Sequence, residues 1–324
     1  MQVMLRFALV TVGVLAVMPR ADAVAQSPVL AGTAPTDAAT STVAVPVSAK
    51  PAPLTLVDDT GQRVTVPKPP LRIISLAPSA TEMLFAAGAG DRLVATVQFS
   101  DEPPAAKQVP RIGDVTAIDM ERLVALHPDV VVVWPGGSNP AQIEKMIQLG
   151  IPVYRQQVNR LTDLPASVRR LGALAATTAV AERAARALEE QLQKIAREYA
   201  GGKHPTVLLE VWNRPLYTVG GTQLMSDALA LCGARNVFGD LRGLSPVIDT
   251  EAVIARNPDI IVAAAPPSEG AAWLEKWGHF SSLNAVRHGR LIAFEDQALS
   301  RMGPSVLAAT EGLCKVLAAA DGGS

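Results

Sequence analysis

The chain has 324 residues, 29 basic and 30 acidic side chains, a formal charge of −1 and only 4% aromatic residues. Without a basic excess it lacks the electrostatic footprint of a nucleic-acid binder, and its length allows one large or two modest domains. Two cysteines, Cys232 and Cys314, admit either one disulfide, the default in an oxidising compartment, or two buried thiols.

At the N-terminus, MQVMLRFALVTVGVLAVMPRADAVAQ places one early cation, Arg6, before an apolar run over residues 7–18 and small-x-small sequences ending at Ala23 and Ala25. The run is shorter than the roughly 20 residues that span a bilayer, so the pattern predicts a signal peptide over residues 1–25. Residues 26–53, rich in Ala, Pro, Thr, Ser and Val, read as a flexible leader. No cysteine lies near either cleavage site, so a soluble exported chain without a lipid anchor is expected.

RIISLAP (72–78) is a continuous apolar run suited to a strand buried on both faces. SATEMLFAAGAG after it predicts a helix, with Ser79 and Glu82 spaced as a capping box. RLVATVQF, DVVVVW and IPVYRQ repeat the strand signal, and AQIEKMIQLG supplies a helix stopped by glycine. Strands alternating with helices predict an α/β lobe with a mainly parallel sheet over residues 54–160. A helical segment over 161–202 follows. LPASVRRLGALA, headed by Asp163, precedes a long helix from about 178 to 200 that carries Leu188, Leu192, Ile195 and Tyr199 on one apolar face. At 1.5 Å per residue that helix is roughly 33 Å long, a rod between lobes rather than a hinge. Residues 203–324 then repeat the strand, loop and helix order with TVLLEVW, LALCGARNVF, PDIIVAAA, RLIAF and the closing GPSVLAATEGLCKVLAAA.

The duplication is plainest in IDMERLVALHPDVVVV (118–133) and IDTEAVIARNPDIIVA (248–263). In each copy Asp119 or Asp249 is placed to cap a helix, Glu121 or Glu251 falls in its first turn, and Pro128 or Pro258 ends it. Local structure accounts for the Asp and the Pro. A first-turn Glu is worth only about 0.3–1 kcal/mol to a helix, which leaves room for a second role: two matched carboxylates, one per lobe, suit a two-fold symmetric partner.

No catalytic constellation stands out. His127, His204, His279 and His288 are isolated, without zinc-ligand spacing, and no metal site is expected. Trp134-Pro-Gly-Gly and Val219-Gly-Gly lack the phosphate-loop pattern and read as tight turns. Asp101, Glu102, Asp296 and Arg301 are only loose candidates for an enzyme's acid, base or anion partner. Phe99, Trp134, Trp212 and Tyr217 fall just beyond predicted strand carboxyl ends, where open α/β sheets bind ligands. They either line one interlobe cleft for a large, partly apolar ligand or plug their own lobes. Arg214 and Arg301 occupy similar loops, as anion partners or as surface charges.

Across residues 72–317, RIISLAPSATEMLFAAG, FSDEPP, MERLVALHPDVVVVWPGG, RPLYTVGG, LALCGARNVF, TEAVIARNPDIIV and GPSVLAATEGLC resemble the periplasmic substrate-binding proteins of ABC importers whose lobes are joined by one backbone helix, and among them the cobalamin-binding proteins. The resemblance implies that Glu121 and Glu251 dock onto arginines of an inner-membrane permease dimer and that Cys232 pairs with Cys314. It also implies that Phe99, Trp134, Tyr217 and Arg301 line the cleft, with Val115 and Ser245 standing where rim tryptophans occur in the family and a cleft aspartate shifted or replaced near Asp296 and Gln297. Together with Trp212 and Arg214 these make the candidate ligand set. The expected protein is a monomeric, non-catalytic periplasmic carrier of a corrinoid, foremost cobalamin, without a resident cofactor; haem or a ferric siderophore is the alternative cargo on the same scaffold, and an exported enzyme or a sensor lobe for a membrane receptor the alternative class.

Overall fold

A computed structural model describes residues 53–322 except Ala200, Gly202, Lys203, Pro267 and Asp296. The expected signal peptide, and the leader up to residue 52, lie outside the described residues.

An antiparallel hairpin of β1 (Leu54–Val57) and β2 (Arg63–Val66) opens the fold. The first sheet comprises β3 (Ile73–Ser75), β4 (Leu93–Ala95), β5 (Val130–Val133) and β6 (Val153–Arg155), interleaved with α1 (Pro78–Ala86), α2 (Met120–Ala125) and α3 (Pro140–Gln148). Helices α4 (Leu164–Leu174) and α5 (Thr178–Tyr199) follow. The second sheet comprises β7 (Thr206–Glu210), β8 (Arg235–Asn236), β9 (Ile260–Ala264) and β10 (Leu291–Phe294), with α6 (Leu224–Leu231), α7 (Thr250–Arg256), α8 (Gly270–Glu275) and α9 (Asn284–Arg287) between them. The terminal helix is α10 (Val306–Gly322).

Both sheets are parallel, in the orders β4-β3-β5-β6 and β10-β9-β7-β8. Ranked by appearance within each lobe, the first order, and the second read from its β8 edge, are second, first, third, fourth, so the duplication extends from sequence to topology. The four valines of β5 and the Ile-Ile-Val-Ala of β9 are buried on both faces, as a parallel sheet covered by helices on each side requires.

One face of each sheet packs into a common core. Ile73, Val130 and Val132 of the first sheet and Val207, Leu209, Ile260 and Val262 of the second belong to one apolar cluster, continuous through α4 and α5. Helix α5 contributes Ala181, Leu188, Leu192 and Ile195, and it packs on α1 and α4 on one side and on α6 and α10 on the other. Gly172 of α4 lets α5 approach closely: an added Cβ there would lie 2.1 Å from the Cβ of Ala181. The opposite faces of the sheets have separate cores, one around Ile74, Val131 and Met146, the other around Leu208, Ile261 and Trp277.

Two local expectations change. The capping box at Ser79 and Glu82 does not form: Pro78 occupies the first helical turn, Ala77 is the N-cap without a side-chain bond, and both polar residues fall inside the helix. The RLVATVQF strand stops at Ala95, because from Thr96 the chain pairs with residues 110–113 instead of β3, and Phe99 adopts φ 64°.

Cys232, the residue that ends α6, is disulfide-bonded to Cys314 on α10 across 82 positions of sequence. Removing such a link costs about 2–5 kcal/mol, mostly by freeing the unfolded chain. The double variant Cys232→Ala/Cys314→Ala is expected to lower Tm by about 5–15 °C in differential scanning calorimetry, and reductant should move the wild type toward the variant; an unchanged Tm would refute a stabilising bond.

Candidate functional site

Every strand of the two parallel sheets aims its carboxyl end at one gap. Pro78 and Ser79 follow β3; Gln98 and Phe99 follow β4; Trp134 follows β5; Gln157, Val158 and Asn159 follow β6. From the second lobe come Val211 and Trp212 after β7, Leu244 and Ser245 after β8, Ala265 and Pro266 after β9, and Leu299 to Met302 after β10. The gap consists of three adjoining compartments of about 540, 410 and 400 Å³ that share lining residues. Each is in the range of a small-molecule site.

Six of the eight residues in the candidate ligand set meet here: Phe99, Val115, Trp134, Trp212, Ser245 and Arg301. Tyr217 does not line a compartment. Its backbone closes the loop, accepting from Val211 N and donating to Trp212 O, and bridges Val247. Arg214 also lies off the lining; its carbonyl accepts a 3.1 Å hydrogen bond from Trp212 Nε1, and its exposed position at the loop tip follows from that turn. Lining residues that sequence reasoning missed include Gln98, Asp114, Met225, Ser300 and Met302. None sits in a periodic or repeated pattern; only the position after a strand end marks Gln98 and Ser300.

The walls are held by side chains behind them. The Trp134 indole lies on the glycine pair that follows it, since a Cβ at Gly136 or Gly137 would come within 2.7 or 2.4 Å of the ring. Gly220 and Gly221 let their strand exit approach the 239–243 loop, where added Cβ atoms would meet carbonyl oxygens at 2.1 and 2.0 Å. The first pair, read from sequence as a tight turn, therefore seats a cleft-wall ring, while the second brings two loops together. Phe99, 73% exposed, projects from a loop whose neighbour Ser100 ends a buried hydroxyl chain through Thr96 and Thr81 to Ser75. Arg111 clamps the same loop through the Ser100 carbonyl and Asp101. Under Trp212, which meets Trp273 edge-on at 5.9 Å, Lys276 bridges the buried Glu210 and Asn213 at 2.6 Å each. The Trp277 indole donates to the other Glu210 oxygen.

Arg301 has a carboxylate in its vicinity. Glu82, only 7% exposed, accepts from the Ser305 backbone N–H and, at 2.9 Å, from the Ser305 hydroxyl. Burial raises its carboxyl above the ordinary value and outweighs the lowering by both Ser305 groups and Arg301, while Glu102 adds to the rise. Asp101 pairs with Arg111 rather than with a potential base, and no described histidine lines a compartment. Among the described residues no group of three His, Cys, Asp or Glu side chains is placed to hold a metal ion.

Away from the gap, the duplicated phrase forms the same structure twice. Asp119 accepts from Arg122 N at 2.9 Å and Asp249 from Ala252 N at 2.7 Å, capping α2 and α7. Matched residues His127 and Asn257 leave these helices at φ 43° and 44°. The second repeated aspartate clamps a neighbouring strand: Asp129 accepts from Leu71 N and Arg72 N, Asp259 from the N–H and hydroxyl of Thr206. Glu121 and Glu251 are exposed and take no hydrogen bond or ion pair from another described residue. One helical turn on, the matched Val124 and Ile254 are also exposed, at 38% and 37%.

A carboxyl whose folded-state pKa is raised lends stability that is fully present below its unfolded value and lost as pH rises through the folded one. Glu82→Gln, which stays neutral, should therefore gain stability relative to wild type in urea unfolding as pH rises above the ordinary carboxylate range. A gap that stays constant or narrows with rising pH would contradict the raised carboxyl.

Residues 73–298 match the model of the periplasmic binding protein family. The vitamin B12-binding protein of Vibrio cholerae serotype O1 is 31% identical over 251 residues, which cover 78% of this chain and 90% of that protein. The crystal structure of the periplasmic vitamin B12 binding protein of Vibrio cholerae superposes with a TM-score of 0.72 at 31% identity, over 78% of this chain and 99% of that one. The periplasmic heme-binding protein from Roseiflexus sp. RS-1 superposes with a TM-score of 0.66 at 25% identity, over 77% and 98%. With the family model spanning both lobes and their linking helix, this chain belongs to the periplasmic binding protein family.

Proposed function

We propose that the chain is a periplasmic carrier that captures a corrinoid, foremost cobalamin, between its lobes and presents it to an inner-membrane ABC permease without altering it. The observation that carries this reading is the gap itself. Its three compartments join into one site framed by aromatic rings and aliphatic or Met side chains, with Asp101, Asp114 and Arg301 as the charged lining residues. A large, mostly neutral ligand with an apolar face and polar edges suits such walls. Export through residues 1–25 brings the carrier to the compartment where the family works.

Haem is the second reading. Haem proteins hold the iron through a protein side chain, commonly His, Tyr, Cys or Met, and among the described lining residues only Met225 and Met302 are of those types. Cobalamin, whose ring nitrogens match those of haem, also carries its own lower base and upper ligand on the cobalt and needs no such protein ligand. A ferric siderophore, usually anionic, would rely on Arg301, the one basic residue among the described lining residues.

Calorimetric titration with cyanocobalamin, haemin and a ferric siderophore separates these readings. Saturable one-to-one binding of cyanocobalamin, with weaker or no binding of the others, is expected; haemin binding that Met302→Leu abolishes would replace the corrinoid reading.

The matched, unpartnered Glu121 and Glu251 supply the permease contact, and exposed Val124 and Ile254 flank it with apolar surface. Charge reversal at both positions, Glu121→Arg with Glu251→Arg, should leave ligand affinity within about twofold and weaken binding to reconstituted permease at least about tenfold at low salt, since such charges serve encounter and register. Permease affinity unchanged at low salt would count against the docking role.

A further inference from the structure

We infer that Glu82 is a positioning residue for ligand capture: reaching out of the first lobe to Ser305 of the second, it holds the segment around residues 299–305 in place as the floor of the cleft.

This segment lines more of the site than any other. Ser300 is common to all three compartments, Arg301 and Met302 each face two, and Leu299 one. It lies between β10 and α10 and belongs to neither sheet; Arg301 N donates to Ala298 O and Val306 N to Gly303 O, both within three residues. The Ser305 N–H and hydroxyl instead donate to Glu82 on α1, 223 positions earlier. The contact sits at the start of α10, whose first N–H groups lack a partner within the helix, so a residue of one lobe serves as the end group for a helix of the other.

The seat is shaped for the carboxylate. A Cβ at Gly303 would stand 2.4 Å from Glu82 Oε2 and 2.8 Å from its Cδ, so a glycine there lets the chain lie flush on the carboxyl group. Arg301 and Glu102 are the charged groups that act on it electrostatically, which also places Arg301 under its influence at the cleft wall. Burying a carboxylate is unfavourable unless it is bonded, and α1 itself gains nothing from one at this position, since its own N-terminus is not capped by it. The first turn of the same helix lines the gap through Pro78 and Ser79. One rigid element thereby presents ligand-facing atoms and fixes the opposite floor against them.

The ligand arm of the test rests on the corrinoid reading; the exchange arm does not. Glu82→Ala is expected to weaken cyanocobalamin binding about tenfold and to accelerate amide hydrogen exchange over residues 299–306, because a buried donor loses its acceptor. Glu82→Gln, which can still accept from Ser305 N, should keep affinity within about twofold of wild type and keep that segment protected. Should Glu82→Ala not fold, Ser305→Ala carries the same test with a smaller effect, about threefold, since only the hydroxyl bond is lost. An alanine variant that binds as tightly as the glutamine one with unchanged exchange over 299–306 would overturn the inference, and so would exchange that rises equally throughout both lobes. If wild type itself fails to bind cyanocobalamin while Glu82→Ala still deprotects 299–306, the corrinoid reading falls and the tether stands.

Discussion

The apolar core that passes from the first sheet through α4 and α5 into the second sheet is the constraint on which the rest of this molecule depends. Each large aliphatic side chain that α5 buries, such as Leu188, Leu192 or Ile195, contributes about 1.5–3 kcal/mol of burial. Such contacts are lost together if the helix moves, because a close-packed interior does not deform continuously. The lobes are therefore joined along one side by a shared core, and the carboxyl ends of their strands face each other across the gap. The disulfide between the end of α6 and α10 reinforces the second lobe on the same side of the molecule.

Within that frame, buried polar groups position the cleft's loops. The hydroxyl chain under Phe99, the Arg111 clamp, the Glu210–Lys276 pair under Trp212 and the Glu82–Ser305 contact share one logic. Each satisfies donors or acceptors that would be expensive to leave unpaired in the interior, so a displaced loop forfeits several bonds at once. Apolar packing could fill the same space, but it would not specify one loop conformation so sharply. Aromatic rings can then stay exposed at the mouth of the cleft without collapsing onto their own lobes, as the 73% exposure of Phe99 illustrates.

The duplicated phrase shows how much of a repeated motif structure alone explains. The first aspartate caps its helix, the proline ends it and the second aspartate clamps the adjacent strand, identically in both lobes. Once these are assigned, the glutamate is the polar member of the repeat with no intramolecular duty among the described residues. An exposed, paired feature without an internal function is where selection for a partner would leave its mark, and the two-lobed architecture presents it twice.

Much was legible from sequence because it depends on local pattern. Buried strand runs, the apolar stripe of α5, the aspartate caps and the strand-end placement of Phe99, Trp134 and Trp212 follow from periodicity, side-chain chemistry and chain order, and the structure realises them. What sequence could not resolve is what distant segments do to one another. Ser79 and Glu82 have capping-box spacing, but the helix starts two positions early, at Pro78, and Glu82 finds its partner 223 positions away. Tyr217 and Arg214 sit in a cleft-edge loop by sequence, yet the direction of a loop's side chains depends on the turn that closes it. The Gly-Gly pairs reveal their purpose only when a ring or another backbone is seen lying against them. Sequence alone determined the two lobes, their linking rod and the strand ends that carry the site; tertiary structure decided which side chains face the gap and what holds them there, because those depend on contacts between residues far apart in the chain.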